Sequence, residues 1–386
     1  MEYDKKYRAG QYIPQVNGFR AFIPKPLPPD IYYDSELMGI LSKADRALGR
    51  LDGASETLPD ADIFVSMYVR KEAVLSSQIE GTQATLLDLM EFEINKGIMD
   101  KPSDVGEIVN YISALNYGIQ RIHSPKGLPL SLRLFKEIHK HLLKDVRGSE
   151  RNPGQFRATQ NWIGPAGCTL SNATHVPPPP GEDMMEALGN LESFLHSEEE
   201  MPELVRIGLA HAQFETIHPF LDGNGRMGRL LITFYLCYKG ILKRPLLYIS
   251  HYFKKNRDEY YKRLQAIRDA GQWEEWLKFF LNGLYEVAQE ATEKTRAIVQ
   301  MREDHRELLM KRLSGTKSTR AISILEKLYS FPFTSVNEVA RQQGLNYTSA
   351  NSIISDLTTL NLLQESSGQK RNRTFVYAPY WELLNK

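Results

Sequence analysis

Apolar residues recur at helical spacing along most of this chain. In ten segments, apolar positions lie three and four residues apart, which is typical of helices that bury one face. The predicted helices cover residues 34–50, 60–80, 84–97, 104–123, 131–145, 183–197, 201–217, 226–240, 256–269 and 272–313. The first forty residues are proline-rich and extended in character. The pattern predicts a mainly α fold.

One long segment between the predicted helices lacks helical periodicity. Residues 148–183 are rich in glycine, proline and asparagine, which favour turns and loops. Within this segment, residues 159–163 and 173–176 form two short runs of β-type sequence. We therefore expect one hairpin-like loop inserted into a helical body.

The last seventy residues have a different pattern. Residues 335–380 indicate a helix, a turn at Gly344, a second helix and two strands. A helix-turn-helix followed by a hairpin is typical of a winged helix. Lys370, Arg371 and Arg373 would form a basic tip on that hairpin, although this end of the chain is only mildly basic. DNA binding and protein contact therefore both stay open.

Composition narrows the class of protein. The net charge is +1, so the chain as a whole has no basic or acidic excess that points to nucleic acid or membrane. We find no signal-peptide pattern at the N-terminus and no apolar run that approaches a membrane span. The two cysteines, Cys168 and Cys237, are far apart and offer no disulfide framework. We expect a cytoplasmic protein.

A polar, glycine-rich stretch, "HPFLDGNGRMGR" at residues 218–229, separates two apolar helical segments. Its Gly-Asn-Gly segment, residues 223–225, can direct successive backbone N–H groups into one concavity at a helix start, where anions bind. Arg226 and Arg229 lie three residues apart on that helix, so both can reach phosphates held there. The stretch predicts a site for a nucleotide polyphosphate.

Two residues next to the glycines could add chemistry to this site. Asp222 is placed to hold Mg²⁺ against phosphates, and His218 could accept a proton from an attacking hydroxyl. An ordinary turn is the simpler alternative, and a Walker A loop does not fit because its spacing and its Lys-Ser/Thr end are missing. Glu215 and His218 also match a di-iron Glu-x-x-His pair, but the chain has no second copy.

The stretch resembles the signature of the Fic family, H-x-F-x-D/E-G-N-G-R-x-x-R, with every fixed position filled. The resemblance implies an α-helical core that moves AMP from ATP onto a hydroxyl of a target protein. It makes His218 the general base, Asp222 the magnesium ligand and Phe220 a core anchor of the loop. The ATP contacts that it implies in this stretch are Gly223, Asn224, Gly225, Arg226, Gly228 and Arg229.

The resemblance extends beyond the signature. Residues 156–178 resemble the family's hairpin flap, which aligns a target segment by strand addition. Residues 257–269 resemble the segment of the adenine pocket, with Tyr260 and Tyr261 as ATP contacts. Paired tyrosines on a helix are more often packing residues, so the residues alone leave this assignment open.

The sequence "SSQIEGT" at residues 76–82 ends a predicted helix. Gly81 is a normal helix stop, but Glu80 lies at the negative end of the helix dipole, which is unfavourable unless a cation meets it. The segment resembles the Fic inhibitory motif Ser/Thr-x-x-x-Glu-Gly/Asn, filled here by Ser76, Glu80 and Gly81. The resemblance implies that Glu80 pairs with Arg229 and blocks the productive position of the γ-phosphate.

The sequence thus predicts three parts. They are an N-terminal helical segment at 1–123 with an inhibitory helix at 60–81, a Fic-type core at 124–300 with its flap and signature loop, and a winged helix at 301–386.

The predicted activity is protein adenylylation with ATP and Mg²⁺ on a Tyr, Ser or Thr hydroxyl. The alternatives are transfer of another phosphate-containing group and a nucleotide-sensing winged-helix transcription regulator. DNA is a possible partner of the winged helix, and the resemblance alone suggests a homodimer.

Overall fold

The computed structural model of the protein describes residues 7–16, 18–56, 61–94, 102–124, 127–366 and 373–385. Helices dominate these ranges, as the apolar periodicity predicted. The helices are α1 (Ser35–Glu56), α2 (Ala61–Ile79), α3 (Leu86–Ile94), α4 (Ser103–His123), α5 (Leu132–Leu142), α6 (Glu182–Leu195), α7 (Glu203–Ile217), α8 (Asn224–Tyr238), α9 (Ser250–Lys255), α10 (Arg257–Ala270), α11 (Trp273–Arg312), α12 (Gly315–Leu328), α13 (Val336–Gln343), α14 (Tyr347–Thr359) and α15 (Ala378–Asn385). The strands are β1 (Gly10–Pro14), β2 (Arg20–Pro24), β3 (Phe333–Ser335), β4 (Leu363–Glu365) and β5 (Thr374–Tyr377). No described helix has the length and apolar character needed to cross a membrane.

Helices α7 and α8 form the centre of the core. All residues of α7 from Leu204 to Ile217 are buried, and α8 is buried over almost its whole length. A helix that is buried on all sides must be surrounded by other elements, and α2, α4, α6, α10 and α11 pack around this pair. At Gly118 of α4 a β-carbon would overlap the ring of Phe234 on α8. Glycine therefore permits the close approach of these two helices.

Two segments expected to be extended behave differently from the prediction. The N-terminal region forms an antiparallel hairpin of β1 and β2, for which we predicted no strands. In the predicted flap, the runs 159–163 and 173–176 share one isolated bridge, between Ile163 and His175, and form no regular strands. The prolines at 177–180 lack backbone N–H donors, so they cannot continue a ladder. The flap is instead held by β2, because Phe22 N donates to Val176 O at 2.9 Å.

The C-terminal segment has the predicted helix–turn–helix–strand–strand order in α13, α14, β4 and β5. Gly344 has a φ of +61° at the turn, and Ser335 and Asn346 cap the two helices with their side chains. Two elements precede this unit without having been predicted, α12 and β3, and β3 completes a sheet in the order β3-β5-β4. Classification as a winged helix stays a prediction. Of its basic tip, Lys370 and Arg371 lie outside the described residues.

The predicted boundary between residues 300 and 301 does not coincide with the end of a helix. It falls inside α11, which runs unbroken from Trp273 to Arg312. The change of structure comes at Leu313, whose backbone is extended. The short helices α9 and α15 were also missed, because six to eight residues carry too few apolar repeats for periodicity to detect.

Candidate active site

The signature loop between α7 and α8 is held in one shape by its own side chains. His218 ends α7 with a φ of +48°, and Gly223 precedes α8 with a φ of +75°. The Asn224 side chain accepts from Phe220 N and donates to Phe220 O, both at 2.8 Å. The Phe220 ring is fully buried and stacks on His139, with 3.7 Å between ring centroids. Asn224 therefore contributes its side chain to the loop and only its backbone to any ligand.

Two residues of the flap, which no sequence motif marks, hold this loop in place. Arg157 donates from Nε to His218 O at 3.0 Å, and its backbone N donates to Pro219 O at 2.9 Å. Asn161 Nδ2 donates to Phe220 O at 2.9 Å. Because these bonds go to backbone carbonyls, no sequence motif marks them.

The imidazole of His218 is positioned to accept a proton. Burial, together with the positive charges of the nearby Arg268 and Arg157, lowers its pKa to about 3. The ring is therefore unprotonated at neutral pH, and it lines a cavity of about 520 Å³. An unprotonated histidine on a cavity wall has the protonation state that a general base needs.

Part of the predicted inhibitory and nucleotide set also lines that cavity, whereas Ser76, Gly81, Gly223, Asn224, Arg226 and Gly228 are not in its wall. A volume of about 520 Å³ falls in the usual range for small-molecule sites. The residues lining it include Glu80, Trp162, Ile163, Gly164, Glu215, His218, Gly225, Arg229, Arg257, Tyr260, Tyr261, Leu264, Gln265 and Arg268. Helix α2, the flap, the signature loop and α10 thus meet at one site.

Arg229 is surrounded by the predicted inhibitory residues. Its guanidinium is 1% exposed and donates to Ser76 Oγ at 2.8 Å, Ser76 O at 3.0 Å and Glu80 Oε1 at 2.7 Å. Burial raises the pKa of Glu80, but Arg229 outweighs burial and brings the pKa below its ordinary value. Gly81 follows with a φ of +101° and lets the chain turn away. Glu80 and Arg229 therefore form a charged pair inside the cavity.

Glu80 also lies against the start of α8. A β-carbon at Gly225 would overlap the Glu80 carboxylate, so glycine leaves room for an anion there. The N-terminal turn of a helix attracts negative charge through its free N–H groups and its dipole. The Glu80 carboxylate thus lies where the predicted nest would receive a phosphate.

Arg226 lies deeper and faces a residue that the sequence analysis missed. Its Nη1 donates to Glu107 Oε2 at 3.2 Å, and its Nη2 lies 3.6 Å from Asp222 Oδ1. Both Arg226 and Glu107 are 1% exposed. A glutamate on the buried face of α4 was the one available signal, because an acid at such a position needs a cation.

Asp222 fits a shared magnesium site but not a cage built by the protein alone. Its Oδ1 accepts from Gly223 N at 2.6 Å, while Oδ2 makes no hydrogen bond within the described part of the chain. His139 holds its backbone, with Nε2 donating to Asp222 O at 2.9 Å. Among the described residues, no three His, Cys, Asp or Glu side chains cluster as a metal site. Mg²⁺ commonly takes one carboxylate plus substrate phosphates, so one free carboxylate oxygen suffices.

Three residues predicted to contact ATP, Gly228, Tyr260 and Tyr261, differ in how far they are open to the cavity. Gly228 is absent from the cavity wall and packs against Glu215 and His211. Tyr260 is buried, and its hydroxyl is bound to His211 Nε2 at 2.9 Å, so it offers only its ring. Tyr261 is 38% exposed at the rim, with the Arg257 guanidinium over its ring.

Glu215, whose spacing from His218 matches one half of a di-iron pair, lines the same cavity. Its Oε1 is buried without a hydrogen-bond partner among the residues that the structure describes. Burial raises its pKa to about 7. The cavity therefore holds one carboxyl group that titrates near neutral pH.

Comparison with known proteins gives two family matches. Residues 38–120 match the Fic/DOC family N-terminal model, and residues 129–236 match the Fic/DOC family model. The second range contains both the flap and the signature loop.

Two relatives share the name Protein adenylyltransferase Fic. The Culex quinquefasciatus protein is 31% identical over 196 residues, which are 50% of this chain and 35% of that protein. The Drosophila grimshawi protein is 33% identical over 145 residues, 37% of this chain and 26% of that protein. The matched segments thus span about a third or less of these relatives.

Solved structures show a similar fold. A Fic family protein from Desulfovibrio desulfuricans G20 superimposes with a TM-score of 0.59 at 18% identity, covering 91% of this chain and 98% of that one. Fic-1 from C. elegans gives a TM-score of 0.50 at 19% identity, covering 69% and 74%. With the two family matches and the filled signature at 218–229, these findings show that the chain belongs to the Fic/DOC family.

Proposed function

We propose that this protein transfers AMP from ATP to a hydroxyl side chain of a target protein. One observation carries the proposal: the unprotonated His218, the start of α8 and Arg229 all face one cavity. The names of the relatives support the same activity.

The residues divide the reaction among them. The backbone N–H groups at the start of α8 and the guanidinium of Arg229 would bind the phosphates, and the rings of Tyr260 and Tyr261 would flank the adenine. His218 accepts the proton of the target hydroxyl at a ring nitrogen. The hydroxyl oxygen then attacks the α-phosphorus, and pyrophosphate leaves with the bonding electrons. Positioning and charge neutralisation supply most of the rate.

Magnesium would be held by Asp222 together with the phosphates, where it neutralises their charge. The target segment would lie extended along the flap near Ile163, since the backbone there is already in a bridged, extended state. The Asp222 assignment rests on its free carboxylate oxygen next to the start of α8, and the Ile163 assignment rests on its place in the cavity wall.

Autoinhibition is part of the proposal. The Glu80 carboxylate accepts a hydrogen bond from Arg229 and lies against the first turn of α8. It therefore competes with a phosphate for the same donors. ATP then binds without the Arg229 contact that orients its outer phosphate. Because α2 belongs to the same chain, the inhibition is intramolecular.

A cytoplasmic location, a homodimer and DNA contact through the C-terminal segment stay predictions. Of the basic residues predicted for DNA, the described Arg373 bonds Asn351 of α14 at 3.0 Å. This contact places one cation beside the second helix of the helix-turn-helix unit.

Intact-mass spectrometry after incubation with ATP and Mg²⁺ tests the function. The Glu80→Gly variant should gain the mass of one or more AMP groups, by self-modification or on an added acceptor protein. The double variant Glu80→Gly/His218→Ala should bind ATP but lose roughly 10²- to 10⁴-fold in labelling, since the base is absent. An adduct of different mass would indicate transfer of another group. Nucleotide-dependent DNA binding without any adduct would favour a regulator.

A further inference from the structure

Glu107 of α4 contacts two parts of the site at once. Its Oε2 accepts from Arg226 Nη1 at 3.2 Å and from Thr82 Oγ1 at 2.9 Å. Its Oε1 lies 3.2 Å from Nε of Arg147, which is half exposed. A carboxylate that is 1% exposed needs such partners, because an unpaired buried charge is costly. Glu107 is thus a junction between the signature and the N-terminal segment.

The first contact divides the charge of Arg226 between two carboxylates. Glu107 is the nearer partner at 3.2 Å, and Asp222 is the farther one at 3.6 Å. If Arg226 turned fully to Asp222, it would compete with Mg²⁺ for the carboxylate that we assign to the metal. With Arg226 bonded to Glu107, Asp222 Oδ2 makes no hydrogen bond to any described residue.

The second contact fixes the turn that carries Glu80. Thr82 follows Glu80 by two residues, is 3% exposed, and closes the turn by donating its backbone N to Ser77 O at 3.3 Å. Its hydroxyl is committed to Glu107. The position of Glu80 on Arg229 therefore depends on an anchor in α4.

We propose that Glu107 is a positioning residue with two actions. It orients Arg226 so that Asp222 stays free, and through Thr82 it holds the Glu80 turn over the start of α8. The inference rests on the proposed function for the meaning of Glu80 and Asp222. Its physical content is that one buried carboxylate sets both arginines of the signature, Arg226 directly and Arg229 through the Glu80 turn.

Substitutions at Thr82 test the action on the turn. Thr82→Val removes the hydroxyl at nearly constant volume, and labelling should rise roughly 3- to 10-fold, which corresponds to the loss of one intramolecular hydrogen bond of ordinary strength. Thr82→Ser keeps the hydroxyl and should label like wild type. In the Glu80→Gly background neither change should have an effect. A rise of equal size with and without Glu80, or no rise with valine, would overturn this action.

Substitution of Glu107 tests the action on Arg226. In the Glu80→Gly background, Glu107→Gln should raise KM for ATP and the Mg²⁺ concentration for half-maximal ATP binding by roughly 10-fold, because Arg226 turns to Asp222. Calorimetric binding of ATP with Mg²⁺ and with EDTA gives the readout without activity. The control Arg147→Gln removes only the half-exposed partner and should change neither value.

Unchanged ATP affinity and unchanged Mg²⁺ dependence in a folded Glu107→Gln protein would show that Glu107 only fills the core. If that variant does not fold, Glu107→Asp can be used in its place. The shorter side chain retains the charge but withdraws it from Arg226, so the same changes in KM and Mg²⁺ dependence are expected. A Glu80→Gly protein that binds ATP without gaining label would refute the proposed function. Calorimetric ATP binding by Glu80→Gly with and without Glu107→Gln would still decide the role of Glu107.

Discussion

At the scale of single residues, burial sets the protonation states around the cavity. It lowers the pKa of His218 to about 3 and raises that of Glu215 to about 7, because each charged form loses solvent. At neutral pH His218 is therefore a neutral base, and Glu215 is poised between its two forms. The same physical cause acts in opposite directions on a base and an acid.

The pH dependence of labelling should reflect these values. The base form of His218 persists from pH 8 down to pH 5, because protonation in the free protein begins only near its lowered pKa of about 3. We expect no inflection near pH 6.5 in kcat/KM, which reports the free enzyme. The measurement uses a Glu80→Gly/Glu215→Gln variant with ATP kept as its magnesium complex, so that Glu215 cannot titrate. A fall in kcat/KM below pH 7 would show that His218 has an ordinary pKa or another role.

Asp222 is the residue that we propose to hold the metal. Asp222→Asn keeps shape and hydrogen bonding to Gly223 but removes the charge. We expect the Mg²⁺ requirement for ATP binding to rise on the order of 10-fold or more, with labelling recovering little at high Mg²⁺. Unchanged metal dependence in this variant would remove Asp222 from the site.

At the scale of elements, two side chains at the end of α2 hold the same arginine. Ser76 lies in the last turn of α2, and Glu80 is the first residue after the helix, four positions on, so both side chains lie on the same side. Both bond the same guanidinium, that of Arg229. The chain then turns away from the cavity at Gly81, whose φ is +101°.

Loss of the ion pair between Glu80 and Arg229 should activate the protein and change its stability. Glu80→Gly frees Arg229, so labelling should rise well above wild type, and the isosteric Glu80→Gln should do the same to a smaller degree. Glu80 is 30% exposed, so solvent screens part of the lost pair, and we expect Tm without nucleotide to fall by about 2–4 °C. Mg-ATP should then stabilise the variant more than wild type, because it supplies a new anion to Arg229. Arg229→Ala should abolish labelling in both backgrounds. Glu80→Gly labelling no faster than wild type would leave Glu80 as an ordinary helix end.

The flap offers a prediction about positioning. Arg157 reaches His218 O and Pro178 O with different nitrogens of one planar group, which lysine cannot do. Arg157→Lys should therefore lower kcat with little change in ATP affinity, because the loop carrying His218 loses its brace. Lys136→Arg, which changes a cation on α5 outside the cavity, is the control. A variant with wild-type kcat would show that the other contacts suffice to hold the loop.

Sequence reasoning was strong where the signal is local. The periodic helices and the polar stretch at 218–229 carry their information within a few residues. It was weak where the partner is remote: Glu107 and Arg157 meet the signature through folding, 119 and 61 positions away respectively. The two β-type runs of the flap do not form regular strands for a different reason. Residues with high β propensity form a strand only when a neighbouring backbone pairs with them.

At the scale of the whole molecule, α2 joins the C-terminal segment to the cavity. Near its start, the Phe64 ring lies 5.0 Å from that of Tyr329, and Ser66 Oγ donates to Ser330 O at 2.9 Å. Farther along, Lys71 Nζ donates to Leu384 O at 3.2 Å. The same helix ends in the turn that places Glu80 on Arg229. We expect a helix held at both ends to couple the two regions, because a shift at one end would move the other.

Removal of the C-terminal segment should therefore weaken the inhibition. The truncation belongs after Leu313, because a cut at 300 would sever α11 and remove the buried Leu309. The shortened protein should still bind ATP, since every residue proposed for catalysis precedes the cut. We expect it to label faster than the full chain, because α2 loses its contacts with Tyr329, Ser330 and Leu384 and holds Glu80 less firmly. In the Glu80→Gly background the truncated and full-length proteins should label equally, since the contact between Glu80 and Arg229 is already absent. A folded truncation that labels no faster than the full chain would show that α2 needs no support from the C-terminal segment, and loss of ATP binding would show that the segment belongs to the core.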